Sequence, residues 1–113
     1  MAAGVVHIPW YATLFRSDTF AEALNEFAPT ALRFGATDYS VYRSRDDAYK
    51  FLHMATFEEK SAFEAYWYGD EFNHFRAMYA GYYQVPILYA WHDLTIHGAL
   101  DEAPAATGAP NGD

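Results

Sequence analysis

The sequence contains no cysteine, so neither a disulfide framework nor thiolate chemistry is available to it. Basic residues are also few: seven Lys and Arg stand against fifteen Asp and Glu, a formal net charge of −8. They form no run, which argues against a surface that binds nucleic-acid phosphates or anionic lipid. The chain has no apolar run of membrane-spanning length and no basic, apolar leader of the secretory type. We therefore expect a cytoplasmic protein without nucleic-acid or membrane partners.

Apolar and aromatic residues, by contrast, are abundant. The hydrophobic fraction is 52%, and ten Tyr, nine Phe and three Trp make 19% of the chain aromatic. A chain of 113 residues is one domain, and a domain of this size buries only about two thirds of its unfolded surface. A surplus of apolar side chains should therefore stay exposed in a single chain and mark an interface. This predicts a homodimer.

The first half of the chain is predicted to form a strand, a helix and a strand. Residues 5–15 alternate, with every even position apolar, which is typical of a strand with one buried face. Pro9 lies inside this strand and conflicts with a central position, because it has no N–H for a sheet ladder. The following helix, with a capping box at Thr19 and Glu22, should kink at Pro29 and end at Gly35.

The second half repeats this order after a second strand at residues 38–43. Residues 48–57 are predicted to form a third strand, a helix follows with a break at Gly69, and residues 85–94 form a fourth strand. The βαββαβ order predicts an α+β, ferredoxin-like domain with a four-stranded antiparallel sheet over residues 1–98. Residues 99–113 are rich in Ala, Pro, Gly and acids, which predicts a disordered tail.

This element order, the length and the segment FEAYWYGDEFNHFRAMY resemble the dimeric α/β-barrel superfamily. Within it the chain is most similar to the antibiotic-biosynthesis-monooxygenase-like (ABM) group, which often has an aromatic-rich second helix ending in a polar residue, His, Phe and a short apolar run, as residues 73–78 do here. The resemblance covers about residues 5–96. It implies a homodimer whose sheets pack face to face, and activities that include cofactor-independent oxidation of aromatic molecules, haem degradation and isomerisation.

The second predicted helix carries two stripes at helical spacing. The stripe that we assign to the core comprises Tyr68, Phe72, Phe75, Tyr79 and Tyr82. The other comprises Trp67, Glu71, His74 and Met78. Ordinary packing explains this second stripe as well as function does. The functional interpretation is that Trp67 and His74 bound a ligand cavity between this helix and the sheet.

Oxidation without a cofactor needs a base or hydrogen-bond donor to ionise an electron-rich aromatic substrate, and an apolar pocket that admits oxygen. His74 and Trp67 are the predicted catalytic residues, because histidine exchanges a proton readily near neutral pH and a tryptophan ring holds an aromatic ligand by stacking. The residues predicted to bind this hydrophobic substrate are Trp10, His7, Tyr66, Arg76 and Met78.

Two alternatives stay open. The resemblance implies that haem-degrading relatives use a Trp and a His from the second helix and an Asn from the first strand. Trp67 and His74 can be placed on that pattern, but the first strand has His7 and no Asn. No bound cofactor is therefore expected, with haem as the alternative. The other alternative is a non-enzymatic ligand-binding or stress-associated dimer.

Histidines also fall on three predicted strands, at His7, His53 and His92. A three-histidine metal site would need all three on one sheet face. Isolated histidines on strands usually satisfy a local hydrogen bond instead, so no metal site is predicted.

Overall fold

The protein folds as two strand–helix–strand units that share one antiparallel sheet. The computed structural model describes residues 3–100. Its elements are, in chain order, β1 (Gly4–Tyr11), α1 (Ser17–Phe27), a 3-10 helix (Ala28–Phe34), β2 (Ala36–Arg43), β3 (Lys50–Phe57), α2 (Lys60–Trp67), α3 (Asp70–Met78) and β4 (Ala90–Asp93). The strand order is β2-β3-β1-β4, and each neighbouring pair is antiparallel. The predicted α+β, ferredoxin-like fold is confirmed.

The helices cover one face of the sheet. Along β1 and β3 buried and partly exposed residues alternate, because successive side chains of a strand point to opposite faces. The described part of the chain supplies no second layer for the other face, which we call the open face. The buried positions on the covered face are Val6, Ile8, Trp10 and Ala12 on the β1 side and Phe51, His53, Ala55 and Phe57 on β3.

The conflict that Pro9 raised is resolved by a gap in the sheet. β1 is central, but β4 pairs only with its Gly4–His7 half. Further along, the carbonyl of Tyr11 accepts a hydrogen bond from the N–H of Gln84 on that same side, at 2.8 Å. Main-chain groups alternate sides along a strand, so the nitrogen of Pro9 also faces this side, where no partner strand requires a donor.

The same gap explains why β4 is shorter than predicted. It spans only Ala90–Asp93 instead of residues 85–94. Pro86 has no N–H to offer a ladder, and the stretch of β1 opposite it contains Pro9, which has none either. The chain between Gln84 and Ala90 therefore runs beside β1 without forming a strand.

The first helix breaks where predicted. α1 ends at Phe27, and the 3-10 helix that follows has Pro29 in its first turn. Gly35 ends it with φ of 99°, a left-handed conformation that glycine adopts at little cost. The predicted capping box is wrong: α1 already begins at Ser17, whose hydroxyl donates to the carbonyl of Ala48 on the loop before β3.

The second helix is two helices. α2 ends at Trp67 and α3 begins at Asp70, with Gly69 between them. A Cβ at Gly69 would lie 2.5 Å from the carbonyl oxygen of Ala65, so no other residue fits there without a shift of the backbone. Because the helix is interrupted, a seven-residue spacing no longer keeps Trp67 and His74 on one face.

Two expectations concern the chain as a whole. Within residues 3–100 no helix is long and apolar enough to cross a membrane, the longest α-helix having 11 residues. The predicted disordered tail at 99–113 lies outside the described residues from position 101 onward, so its disorder and the domain boundary stay predictions.

Candidate functional site

A set of buried side chains surrounds Phe72, between the covered face of the sheet and helices α2 and α3. Phe72 is fully buried in the first turn of α3. The ring centroids of Tyr66 and Trp67 lie 4.9 and 4.8 Å from its own. Those of His53 and Trp10 lie at 6.2 and 6.3 Å, and the Arg76 guanidinium carbon lies 4.7 Å from the ring. We call Trp10, His53, Tyr66, Trp67, Phe72 and Arg76 the Phe72 cluster.

Three buried side-chain atoms in this cluster have no hydrogen-bond partner. They are Nε2 of His53, the hydroxyl of Tyr66 and Nη1 of Arg76. Buried polar atoms are almost always paired in native proteins, because an unpaired one costs about 1–3 kcal/mol. All three belong to side chains that contact Phe72. A polar ligand that entered the cluster would therefore find these three atoms without a competing protein partner.

His53 contributes a neutral imidazole. It is fully buried on β3, and burial lowers its pKa to about 4. The indole N–H of Trp10, which can only donate, lies 3.4 Å from Nδ1 of His53. Nδ1 is therefore the acceptor, and the proton of the neutral ring is on Nε2. The unpaired Nε2 of His53 is thus a hydrogen-bond donor and not a base.

Arg76 contributes the positive charge of the cluster. Its Nη2 donates to the carbonyl of Trp67 at 2.7 Å and to Oδ1 of Asn73 at 2.5 Å. Its guanidinium carbon lies 4.1 Å from the Trp67 ring centroid, a cation–π contact. Burial lowers the pKa of Arg76, although an arginine stays protonated at neutral pH. One side of the guanidinium is therefore anchored, and Nη1 remains free to donate.

Tyr66 contributes a neutral hydroxyl. Its ring is buried between Phe72 and Phe34, and burial raises its pKa to about 12. The Thr30 hydroxyl lies close enough to oppose this rise in pKa, although the two groups make no hydrogen bond of standard geometry. Tyr66 thus joins His53 and Arg76 as a buried donor without a geometric partner, and the Arg76 donor is charged. Donors in a dry, apolar setting stabilise an oxyanion more strongly than water-exposed donors do.

The cluster approaches the surface at Trp67. This residue is 7% exposed, and its ring packs against that of Tyr89 at 5.4 Å. The hydroxyl of Tyr89 lies 3.4 Å from that of Tyr68, which is exposed. The unpaired chain between Gln84 and Ala90 therefore covers this flank of the cluster.

His74 and Met78 lie elsewhere. Both are exposed and line a groove of about 280 Å³ between α1 and α3, on the outer side of the helix layer. Glu26 and Glu71 border the same groove, whose floor contains Phe27 and Phe75. The structure thus does not bring His74 beside Trp67, and the cavity predicted between them is wrong. The break at Gly69 is the reason, since it turns α3 relative to α2.

Of the residues predicted from sequence, four come together in the Phe72 cluster. These are Trp10, Tyr66, Trp67 and Arg76. His7 is on the open face of the sheet, away from the cluster. The roles assigned to all these residues stay predictions.

Two members of the cluster were missed as site residues. Phe72 was assigned to the core, and His53 was considered only as a metal ligand. His53 did carry a signal: it is the single polar residue in the buried series Phe51, His53, Ala55 and Phe57. A polar side chain at such a position needs a partner or a function.

The structure also bears on the alternatives considered for cofactors and metals. A haem site of the kind that the resemblance implies would need Trp67 and His74 beside one space, and the two residues face different surroundings, so they do not fit haem. A three-histidine metal site does not form either. His53 is on the covered face of the sheet, and His7 and His92 are on the open face.

No family model matches this chain, and no curated protein is significantly similar to it. Several solved structures, however, are similar to it. One from Nitrosomonas europaea, named "Putative antibiotic biosynthesis monooxygenase", matches with TM-score 0.73 and 15% identity over 81% of this chain and 89% of its own. A protein of unknown function from the same organism has TM-score 0.75 and 16% identity over 90% and 98%.

A third match is a Bordetella bronchiseptica protein with the same monooxygenase name, with TM-score 0.73 and 11% identity over 85% of this chain and all of its own. The fold is that of the ABM-like proteins. The resemblance drawn from the sequence is thereby confirmed for the ferredoxin-like fold. At these identities the similarity establishes the fold alone, and the names of these proteins describe their own activities.

Proposed function

We propose that the protein is a cofactor-independent oxygenase that binds a hydrophobic phenol as its phenolate in the Phe72 cluster. The observation that carries this proposal is the set of three unpaired donors on His53, Tyr66 and Arg76 among buried rings. The site lacks a group that would act as a base at neutral pH. Its chemistry is therefore to stabilise the anion that forms when the phenol loses its proton to solvent. Two of the structurally similar proteins carry a monooxygenase name, which supports the same class of reaction.

Stabilising the phenolate is sufficient for the chemistry. A phenolate is electron-rich and passes one electron to O₂, and the two radicals combine to form a carbon–oxygen bond. The ring hydroperoxide then loses water and becomes a quinone. One phenol and one O₂ thus give one quinone and one water, with no external reductant. Arg76, Tyr66 and His53 would hold the phenolate oxygen, and Trp10 and Trp67 would stack on the ring.

Substrate binding requires the Phe72 side chain to move. Its ring lies at the centre of the cluster, where the substrate ring has to go. Phe72 is in the first turn of α3, directly after the helix break at Gly69. An outward rotation of the first turn of α3 would free the space between Tyr66, Trp67 and Arg76 without unpacking the sheet.

The proposal predicts that the protein binds nitrophenol in its anionic form. Titrating absorbance with the protein in excess should give a pKa for bound nitrophenol about one unit or more below that of the free ligand, because each unit corresponds to about 1.4 kcal/mol of preference for the anion. Arg76→Met should abolish this shift, and Tyr66→Phe should reduce it. His74→Ala, in the outer groove, is the matched control and should behave as wild type.

Turnover separates an enzyme from a binding protein. Fused-ring phenols should consume oxygen and yield quinones in air, measured with an oxygen electrode and by quinone absorbance. Binding of the phenolate without oxygen uptake by any phenol of the panel would support the ligand-binding alternative. If His74→Ala abolished turnover and Arg76→Met did not, the site would be the α1–α3 groove, and the proposal would be wrong.

We also propose that the protein forms a homodimer through the open face of its sheet. Val5, Pro9, Leu52 and Met54 lie on this face and are at least partly exposed. Tyr89 does not belong to this face, because its ring packs against Phe63 and Trp67 on the covered side.

The open face therefore offers a better test of the dimer. Light scattering at micromolar concentration should give a dimer for wild type. Leu52→Glu should give a monomer with an unchanged circular dichroism spectrum, since a buried carboxylate at the interface is costly. Lys60→Glu, an exposed change on the helix side, is the control and should remain dimeric. A monomeric wild type would refute the proposal.

A further inference from the structure

Two histidines meet on the open face of the sheet. His7 of β1 and His92 of β4 are diagonal neighbours, because Ala90 is opposite His7 and His92 is opposite Val5. Their ring centroids are 4.3 Å apart, and the ring planes are inclined by 43°. The small Ala90 side chain beside His7 leaves room on this face. Neither ring takes part in the Phe72 cluster, which is on the other face.

The His92 ring has the tautomer that a metal ligand requires. The Nδ1 atom of His92 lies 3.3 Å from the carbonyl oxygen of Val5. Because a carbonyl only accepts, Nδ1 carries the proton and Nε2 keeps a free lone pair. This is the arrangement found for most metal-bound histidines, whose other ring nitrogen donates to a carbonyl or carboxylate.

The residue next to this pair is a methionine. Met54 of β3 is directly opposite His7 on the same face, and side chains at such positions have Cβ atoms about 4.5–5.5 Å apart. No group of three His, Asp or Glu side chains suited to a metal ion occurs within residues 3–100. The available ligand set is therefore two imidazoles and one thioether, and soft sulfur ligands of this kind select Cu(I).

We propose that His7, His92 and Met54 bind one Cu(I) ion on the open face of the sheet. Metal–nitrogen bonds are about 2.0–2.1 Å long, which places the ligand nitrogens of one ion roughly 3 Å apart. The ring centroids of His7 and His92, 4.3 Å apart, are close enough for both rings to contact one ion. The site was not expected from sequence, because there the three histidines were considered together and His53 is on the opposite face.

The test is a competition titration of the full-length protein with Cu(I), under reducing and anaerobic conditions, against a chromophoric chelator. Wild type should bind one Cu(I) per chain. His7→Ala and His92→Ala should each weaken binding about tenfold or more, which is the range for loss of a metal-site partner. X-ray absorption should show two nitrogen neighbours and one sulfur, with the sulfur lost in Met54→Leu.

Matched controls are His97→Ala and Met78→Leu, which change an exposed histidine and an exposed methionine elsewhere. Both should bind as wild type. The proposal is overturned if wild type binds Cu(I) no more tightly than a His7→Ala, His92→Ala double variant, or if the controls lose affinity equally. The same face is proposed for the dimer, so the molecular mass of the protein is measured separately by light scattering. A monomer that binds Cu(I) would refute the dimer only, and a dimer that does not bind would refute the metal site only.

Discussion

Phe72→Ala is expected to lower the free energy of unfolding by about 3–5 kcal/mol and to open a binding cavity. The ring is fully buried and contacts Tyr66, Trp67 and Arg76, so its loss removes packing and leaves a void. The void would border the three unpaired donors. Urea unfolding measures the first effect, and nitrophenol binding measures the second, which should be tighter than in wild type because no ring has to be displaced.

Phe75→Ala is the matched control for this experiment. Phe75 is also buried in α3 and borders Phe72 and Trp10, with ring centroids 6.0 and 6.1 Å away. It packs more closely against Phe27 of α1, at 4.4 Å, on the side of the outer groove. Its loss should destabilise the protein to a similar degree without improving nitrophenol binding. If Phe72→Ala proves too unstable, Phe72→Leu makes a smaller void and should show the same order of affinities. Equal binding by the Phe72 and Phe75 variants would contradict the proposed site.

Much of the fold could be predicted because it depends on local pattern. Alternation along β1 and β3 gave the covered face, and Pro29, Gly35 and Gly69 gave the breaks and ends of the helices. The length of β4 could not be predicted in this way. It depends on Pro86 coming beside the stretch of β1 that contains Pro9, and that is a property of the tertiary arrangement, which a single segment does not contain.

The candidate site was predicted in part for a related reason. Trp10, Tyr66, Trp67 and Arg76 were identified as aromatic or donor residues on the right elements, and the structure brings them together. His74 was placed with Trp67 by counting helical turns across Gly69. That count fails once the helix is interrupted, although the break itself was anticipated. The unpaired donors depend on tertiary packing, so only the polar His53 in an apolar series gave a sign of them.

His53 should also make the protein less stable in acid. Its pKa is about 4 in the folded protein and 6.5 in the unfolded chain. Above pH 6.5 the His53 ring is neutral in both the folded and the unfolded state, so its protonation does not lower the free energy of unfolding. As the pH falls from 6.5 to 4 the unfolded chain takes up a proton that the folded protein excludes, and the free energy of unfolding should drop by about 3 kcal/mol, at about 1.4 kcal/mol per pH unit.

His53→Gln isolates this contribution, because glutamine keeps an acceptor for Trp10 and does not titrate. Urea unfolding at fixed protein concentration should show the difference between wild type and variant changing by about 3 kcal/mol from pH 7 to pH 4. The lowered carboxyl pKa values of Asp47 and Glu71 are common to both proteins, so their contributions cancel in this difference. Added salt should leave the difference largely intact, since the cause is burial and not an exposed charge. Parallel curves would mean that His53 is protonated inside the fold. The cluster would then hold a second positive charge beside Arg76, and His53 could not be the neutral donor that the proposed phenolate site requires.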